Sequence, residues 1–337
     1  MNNTEISEIK ELLASSKKIA IIPHRSPDGD AMGSTLALYH FLIKMNHEVK
    51  VVAPNDFPDF LAWLPASEKV VIFENETELA SKIITDAALV FTLDFNALHR
   101  TGLAMEAFLK ELDTTFIMID HHQSPDSYAK YTYSDTNYGS TCEMVYNFID
   151  QLNQLNCIDK NIATCIYTGI LTDSGGFRYP KTTSNTHRIV AELIDLGAEN
   201  TEIPNLLFEN NSYSRLQLLG RAMQNLKVFP ELKTAYTTLS QQELNEYNYV
   251  KGDTEGFVNY GLTIKNINFA AIFIEHSDEK IIKISFRSQG DFDVNQFARE
   301  HFSGGGHINA AGGKSNKSLQ QTIEKFESIV AEMSLIN

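Results

Sequence analysis

Short apolar runs alternate with amphipathic stretches along the first part of the chain. The runs are of strand length, and the stretches between them carry the apolar spacing of helices that cover a sheet. The predicted strands are residues 18–23, 48–53, 69–73, 87–93 and 115–119, and the predicted helices are residues 31–45, 76–85 and 103–112. This alternation predicts an α/β fold with an N-terminal parallel sheet and helices on both of its faces.

The pattern changes twice further along the chain. Helical spacing dominates first, over residues 140–152, 160–171, 184–196 and 213–226. Predicted strands over residues 234–239, 267–275 and 280–287 then precede predicted helices over residues 294–301 and 318–333. Strands grouped before helices indicate a smaller α+β domain. We therefore expect a first domain over residues 1–212, a linking helix over 213–227 and a second domain over 228–337.

Charge narrows the range of partners. The 337 residues include 28 basic and 43 acidic side chains, which gives a net charge of -15. Such a chain is poorly suited to long nucleic acid, whose non-specific binding needs a basic surface. A short polyanion remains compatible if metal ions or a few arginines supply positive charge locally.

The apolar runs, the N-terminus and the cysteines indicate the cellular compartment. No apolar run reaches the length of ~18 residues that spans a membrane, and the charged N-terminus does not resemble a signal peptide. The three cysteines, Cys142, Cys157 and Cys165, include no CxxC pair. We expect a cytoplasmic protein without a membrane partner.

Acidic and imidazole side chains follow several of the predicted apolar elements. They are His24, Asp28 and Asp30 in one loop, Asp94, the triplet Asp120-His121-His122, and Asp173. The first segment alone is equally compatible with a loop that caps the next helix through Asp30. Four such segments at one sheet edge instead favour a metal site. Carboxylate and imidazole without thiolate suit Mn²⁺, Mg²⁺ or Co²⁺, and more ligands than one open catalytic ion needs suit two ions.

At these residues the sequence resembles the DHH phosphoesterases. The segments beginning at His24, Asp94, Asp120 and Asp173 are similar to the four motifs of that family. Ser303-Gly-Gly-Gly-His307-x-Asn-Ala-Ala-Gly312 resembles the glycine-rich motif of the DHH-associated C-terminal domain. The resemblance covers roughly residues 19–313, and the length fits the stand-alone NrnA type. It implies a catalytic first domain and a substrate-binding second domain, which would face each other across a cleft.

The resemblance also implies roles for individual residues. His24, Asp28 and Asp94 would hold one divalent ion, and Asp30, Asp94, His121 and Asp173 the second, with Asp94 bridging. The ions would be Mn²⁺ first, with Mg²⁺ or Co²⁺ as alternatives. His122 would be catalytic beside the reacting phosphate, and Asp120 would orient a histidine. Phe95 stands where the family has a small residue.

The second domain carries the expected substrate-binding residues. They are Arg287, Ser288, Gly304, Gly305, Gly306, His307 and Asn309. The glycines offer backbone N–H groups to an anion, although a lone Gly-Gly-Gly is more often a flexible turn. The roles of Arg100 and Arg178 stay open between contact with substrate and ordinary ion pairing.

The resemblance implies hydrolysis of short oligoribonucleotides from the 3′ end and of 3′-phosphoadenosine 5′-phosphate (pAp) to AMP. A phosphodiesterase for cyclic or linear dinucleotides is the nearest alternative, and a non-catalytic nucleotide sensor is the alternative of another class. A long-DNA exonuclease of the RecJ type conflicts with the charge, and an inorganic pyrophosphatase lacks the Gly-Gly-Gly-His segment. A homodimer is expected from the resemblance alone.

Overall fold

The computed structural model describes residues 1–209 and 211–334, so the last three residues of the expected second domain lie outside it. The chain divides into two compact units, Met1–Asn210 and Asn211–Asn337.

The first unit is built on six strands, all of them parallel. The strands are β1 (Lys18–Pro23), β2 (Glu48–Ala53), β3 (Val71–Ile72), β4 (Leu89–Leu93), β5 (Thr115–Asp120) and β6 (Tyr131–Ser134). The helices are α1 (Asn3–Leu13), α2 (Gly29–Lys44), α3 (Thr77–Asp86), α4 (Leu103–Lys110), α5 (Thr141–Gln151), α6 (Lys160–Asp173), α7 (Ser184–Asp195) and α8 (Glu202–Phe208). The predicted parallel sheet is confirmed. The predicted strand over 69–73 is mostly wrong, because residues 67–69 form a 3₁₀ turn and only Val71–Ile72 pairs.

Both faces of this sheet are covered, as predicted. Along β1, Ile19 and Ile21 belong to one core cluster, while Ala20 and Ile22 belong to another. Successive side chains of a strand point to opposite faces, so each face of β1 has its own core. Helices α2, α5 and α6 contribute to the first cluster, and α3 and α4 to the second.

The order of the strands positions the site. The sheet runs β3-β2-β1-β4-β5-β6, so the chain direction across the sheet reverses between β1 and β4. In an open parallel sheet, a crevice opens at the carboxyl ends of the strands where the order reverses. The residues that follow β1 and β4 are therefore expected to line this crevice.

Two glycines allow α2 and α6 to approach closely. A Cβ at Gly33 would lie 2.6 Å from the carbonyl oxygen of Cys165, and one at Gly169 would lie 2.7 Å from Asp30 Oδ1. Near the start of α2, a Cβ at Gly29 would lie 2.6 Å from the side chain of Thr172. The start of α2 therefore packs against the end of α6, with no side chain between the two backbones at the glycines.

The second unit has a mixed sheet. Its elements are α9 (Tyr213–Gln224), β7 (Lys227–Phe229), β8 (Thr234–Leu239), α10 (Gln241–Glu246), α11 (Asn259–Leu262), β9 (Phe269–His276), β10 (Ile281–Ser288), α12 (Val294–His301), β11 (Gly305–His307), β12 (Ala310–Ser315) and α13 (Leu319–Ser334). The sheet order is β11-β12-β10-β9-β8-β7, with β8 and β9 parallel and the other pairs antiparallel. The core is rich in phenylalanine, including Phe269, Phe273, Phe286 and Phe326.

The glycine-rich segment is part of this sheet. Gly305 to His307 pair with Ala310 to Gly312 as an edge hairpin. Glycine has a weak strand propensity, so the sequence favoured a loop or a turn here. The neighbouring edge of β10 supplies the backbone partner that pairs β12 and carries the hairpin into the sheet.

Candidate metal centre at the carboxyl ends of the sheet

His24 follows β1 and is buried, with 6% of its surface exposed. Its Nδ1 lies 2.9 Å from the carbonyl oxygen of Arg25, so Nδ1 carries the proton and donates there. Nε2 is left as the electron-pair donor of the ring. It lies 3.5 Å from Asp94 Oδ2 and 3.9 Å from Asp28 Oδ2.

Asp28 serves both the helix and the cluster. Its Oδ1 accepts hydrogen bonds from the backbone N–H groups of Asp30 (3.0 Å) and Ala31 (3.1 Å), which caps α2. The other oxygen faces His24. The alternative in which Asp30 is the N-cap is therefore wrong, because Asp28 has that position.

Asp30 is fully buried at the start of α2. Its two carboxylate oxygens accept the backbone N–H groups of Thr141 (2.6 Å) and Cys142 (2.9 Å). These N–H groups belong to the first turn of α5, where they have no partner within the helix and where the helix dipole favours negative charge. No sequence pattern indicates that the start of α5 faces the strand ends.

Asp94 follows β4 and lies at the centre of the cluster. Its Oδ1 accepts a hydrogen bond from Thr141 Oγ1 at 2.9 Å and lies 3.4 Å from His121 Nε2. Its backbone is left-handed, with φ of 64°. That conformation costs roughly 1–2 kcal/mol for a residue with a Cβ, and such strain concentrates at functional sites. The side chain of the next residue, Phe95, is fully buried in the core on the α3–α4 face.

His121 approaches three carboxylates with the same nitrogen. Its Nε2 lies 3.3 Å from Asp173 Oδ2, 3.4 Å from Asp94 Oδ1 and 3.8 Å from Asp30 Oδ2. Nδ1 lies 3.3 Å from the carbonyl oxygen of Tyr138, so Nε2 is the nitrogen that could bind a cation once it loses its proton. Asp173, the last residue of α6, joins the cluster through His121.

Asp120 holds His122. One oxygen of the buried Asp120 lies 2.7 Å from His122 Nδ1, and the other accepts the backbone N–H of His122 at 3.1 Å. Two contacts to one carboxylate fix the orientation of the ring and place a proton on Nδ1, which donates to Asp120.

The charges of the cluster conflict without a cation. Burial, together with the charges of Asp94 and Asp173, raises the pKa of Asp30 well above its usual value. Burial also raises the pKa of Asp173, to about 7. Burial disfavours the charged form of His121, but the hydrogen bond to Asp94 and the charge of Asp173 outweigh it and raise its pKa to about 10. Burial also opposes the charged form of Asp94, but its hydrogen bonds to His121 and His24 outweigh burial and hold its pKa well below the usual value. The cluster therefore retains protons as substitutes for positive charge.

The donor atoms fit divalent ions. The ligand atoms of His24, Asp28 and Asp94 lie within 4.8 Å of one another, as do those of Asp30, Asp94 and His121. Two ligand atoms bound at about 2.1 Å to one ion lie roughly 3.0–3.4 Å apart at tetrahedral or octahedral angles. The spacings of 3.3–3.5 Å from Asp94 to His24 and His121, and from Asp173 to His121, are close to that range.

The expected substrate-binding residues lie around the hairpin of the second unit. Two of the glycine N–H groups already have partners, since Gly304 donates to Ala298 O (3.2 Å) and Gly306 to Asn295 Oδ1 (2.9 Å). Asn309 Nδ2 donates to Ser288 Oγ at 2.9 Å, which ties the hairpin to β10. The glycine backbone is therefore less available to an anion than the sequence suggested.

Arg100 and Arg178, whose roles the sequence leaves open, both lie in the first unit. Arg100 is close enough to His24 for its charge to oppose protonation of that ring. Arg178 Nε donates to Gly175 O at 2.6 Å in the turn after α6.

In the part of the chain that the structure describes, every helix is too short or too polar to span a bilayer.

Comparison with known proteins shows two family matches. Residues 18–170 match the DHH family, N-terminal domain, and residues 232–334 match the DHHA1 domain. The chain is 31% identical over 317 residues to the bifunctional oligoribonuclease and PAP phosphatase NrnA of Thermus thermophilus, covering 93% of this chain and 89% of that protein.

Two further proteins are similar to this chain, one by structure and sequence and one by sequence. The crystal structure of an exopolyphosphatase-related protein from Bacteroides fragilis is 38% identical, with a TM-score of 0.95 over 99% of this chain and 98% of that one. The cyclic-di-AMP phosphodiesterase PdeA of Listeria monocytogenes is 24% identical across 90% of this chain but only 45% of its own length.

Proposed function

The chain belongs to the DHH family, and on that premise we propose that it is a two-metal phosphoesterase of short nucleotide substrates. It hydrolyses short oligoribonucleotides from the 3′ end to mononucleotides and removes the 3′-phosphate of pAp to give AMP. The similarity to a bifunctional oligoribonuclease and PAP phosphatase over most of both chains supports this substrate class.

One observation carries the proposal: two triads of ligand atoms share a single carboxylate. His24 Nε2 faces Oδ2 of Asp94, and Asp28 completes the first triad. His121 Nε2 faces Oδ1 of Asp94, Asp30 completes the second triad, and Asp173 contacts His121. We assign His24, Asp28 and Asp94 to one ion and Asp30, Asp94, His121 and Asp173 to the second. Imidazole and carboxylate donors suit Mn²⁺, with Mg²⁺ or Co²⁺ as alternatives. When bound, ions of this kind would lower the pKa of water and stabilise negative charge on the reacting phosphate.

His122 is the proton carrier in this scheme. Hydrolysis breaks the bond between phosphorus and the 3′-oxygen, and that oxygen must gain a proton as water adds to phosphorus. With Nδ1 held by Asp120, Nε2 of His122 is the nitrogen that donates to a phosphoryl oxygen or to the leaving oxygen. Nε2 gains that proton as the attacking water loses it and then passes it to the 3′-oxygen, and the buried Asp120 carboxylate stabilises the charged ring in the interval.

We assign the non-reacting part of the substrate to the second unit. Arg287 lies on β10 and can present a bidentate fork to phosphate, and His307 ends β11. Ser288 and Asn309 hold the hairpin that carries His307. Arg287→Ala should raise KM and leave kcat within about twofold, because the arginine contacts a part of the substrate that does not change. A fall in kcat at unchanged KM would refute the binding role.

The surroundings of the chain fit this activity. The net charge of -15 favours a short substrate over long DNA. Cys142, Cys157 and Cys165 are free thiols, which supports a reducing cytoplasm as the site of action.

A product assay with purified protein and Mn²⁺ tests the proposal. It compares pAp, a two-nucleotide RNA, a long RNA of ~24 nucleotides and cyclic di-AMP, with Asp94→Asn as the inactive control. Asparagine tolerates the left-handed backbone and removes the charge, so loss of turnover reports on the carboxylate and not on strain. Release of mononucleotides from the short RNA and of AMP from pAp is the expected result.

The same assay decides the second candidate, a cyclic-dinucleotide phosphodiesterase. The similarity to PdeA across nine tenths of this chain favours it specifically. Faster turnover of cyclic di-AMP than of pAp and short RNA would replace the proposed substrates with this one. Absence of turnover for all four substrates in metal-loaded protein would refute the enzyme and favour a nucleotide sensor.

A further inference from the structure

Thr141 lies between two deeply buried carboxylates of the centre, Asp30 and Asp94. Its backbone N–H donates to Asp30 Oδ2 at 2.6 Å, and its hydroxyl donates to Asp94 Oδ1 at 2.9 Å. Thr141 and Asp30 have no exposed surface, and Asp94 has 2%. One residue at the first position of α5 therefore contacts a carboxylate assigned to the second ion and the carboxylate assigned to both.

The contact with Asp94 matters because the two oxygens of that carboxylate face different histidines. Oδ2 lies 3.5 Å from His24 Nε2, and Oδ1 lies 3.4 Å from His121 Nε2. The terminal torsion of an aspartate is broad, so packing at Cβ alone does not fix the plane of its oxygens. A donor at a fixed position beside Oδ1 does fix that plane, and Thr141 Oγ1 is such a donor.

The start of α5 does not need this hydroxyl for its own stability. Ser140 is the N-cap, and its Oγ accepts the backbone N–H of Glu143 at 3.1 Å. A residue that only filled the first helical position could be valine, which has nearly the same shape as threonine. The hydroxyl of Thr141 is instead directed at Asp94.

We propose that Thr141 is a positioning residue of the metal centre: its hydroxyl sets the plane of Asp94 so that one carboxylate oxygen faces His24 and the other faces His121. The proposal rests on the proposed two-metal function. It assigns Thr141 no contact with substrate or with the reacting atoms. Contacts of this kind to a ligand are worth about 10- to 100-fold in metal affinity or activity.

Three variants separate the hydroxyl from the shape of the side chain. Thr141→Val removes the donor and keeps the volume, while Thr141→Ser keeps the donor. Both retain the backbone N–H that binds Asp30. Thr168→Val is the matched control, because Thr168 is equally buried and its hydroxyl donates within α6 to Thr164 O at 2.9 Å.

The measurement is calorimetric titration of the metal-free proteins with Mn²⁺, together with their thermal unfolding. Thr141→Val should bind Mn²⁺ about 10- to 100-fold more weakly, and Thr141→Ser and Thr168→Val within about threefold of wild type. At saturating Mn²⁺, Thr141→Val should lower kcat and leave KM within about twofold. In an Asp94→Asn background, Thr141→Val should change Mn²⁺ affinity no further, because the contact it removes has already lost its charged partner.

The outcomes distinguish this proposal from the function on which it rests. If wild-type protein binds no Mn²⁺, the two-metal function fails. If wild type binds Mn²⁺ and Thr141→Val binds it equally well, or if Thr141→Ser is as weak as Thr141→Val, the positioning role is refuted. If Thr141→Val does not fold, Thr141→Ala takes its place against Thr141→Ser under the same criteria.

Discussion

Metal binding at this centre should release protons and should therefore strengthen as pH rises. In the metal-free protein, His121 has a pKa raised to about 10 and Asp173 a pKa raised to about 7. A raised pKa means that the proton is still bound near neutral pH, so an incoming ion must displace it. For His121, three pH units separate its pKa from pH 7, which corresponds to about 10³-fold competition or about 4 kcal/mol.

The slope follows from the same values. Between about pH 7 and about pH 8, the proton on His121 should by itself increase the apparent Mn²⁺ affinity about tenfold per pH unit, and any proton that Asp30 or Asp173 still holds adds to this slope. Below about pH 7, Asp173 is also protonated, and the slope should steepen. Calorimetric titration in two buffers of different ionisation enthalpy counts the protons released at each pH.

Two variants make the test specific. His121→Gln should release about one proton fewer and should flatten the pH dependence. His276→Gln is the control, because His276 lies on β9 of the second unit, beside Tyr249, and should leave the proton count unchanged. An affinity that stays constant from about pH 6.5 to about pH 8, or an unchanged proton count in His121→Gln, would refute the reasoning.

Three further predictions concern chemistry, packing and substrate length. His122→Ala should lower kcat by ~10²–10⁴-fold with little change in KM in steady-state kinetics, and a kcat within a few-fold of wild type would exclude proton transfer by this ring. Gly169→Ala should destabilise the protein by about 1–3 kcal/mol in denaturant unfolding, because a Cβ there meets Asp30 and Cys142. Gly220→Ala, in open space on α9, should instead stabilise it by about 0.5–1 kcal/mol, and equal effects would contradict the packing argument. The kcat/KM should be highest for RNA of about two to five nucleotides and fall for longer chains, more steeply at low salt, whereas a rate that rises with length would indicate attraction along the chain.

The strongest periodic signals in the sequence were sufficient to place many of the elements. The strands at 18–23 and 234–239 and the helix at 294–301 have the predicted bounds. Helix α1 lies outside the predicted elements, because only Ile6, Ile9 and Leu13 of its 11 residues are buried and charged residues separate them; Asn2 caps it. Strand β6 was missed since Tyr131–Ser134 is a short edge strand with alternating burial.

Some contacts of the candidate site also follow from the sequence pattern, and others do not. A parallel sheet brings the carboxyl ends of its strands to one edge, so the meeting of His24, Asp94 and His121 follows from the pattern of apolar runs. The donors at the start of α5 do not follow from it. Nothing in the spacing of Ser140 and Thr141 tells which end of that helix approaches Asp30, because that depends on how α5 packs against α2. Contacts between elements of different sequence regions need the three-dimensional structure.

The glycine contact between α2 and α6 has a consequence for ion selectivity. Asp30 begins one helix and Asp173 ends the other, and at Gly33 and Gly169 the two backbones meet without side chains that could yield. Ca²⁺ needs ligand distances of about 2.3–2.6 Å, compared with about 2.0–2.1 Å for Mg²⁺. A larger ion held by Asp30 and Asp173 in the proposed site would strain this contact, which has no flexible side chain to move aside. We therefore expect the packing of α2 against α6 to disfavour large cations, in addition to the preference of the imidazole and carboxylate ligands for Mn²⁺, Mg²⁺ or Co²⁺.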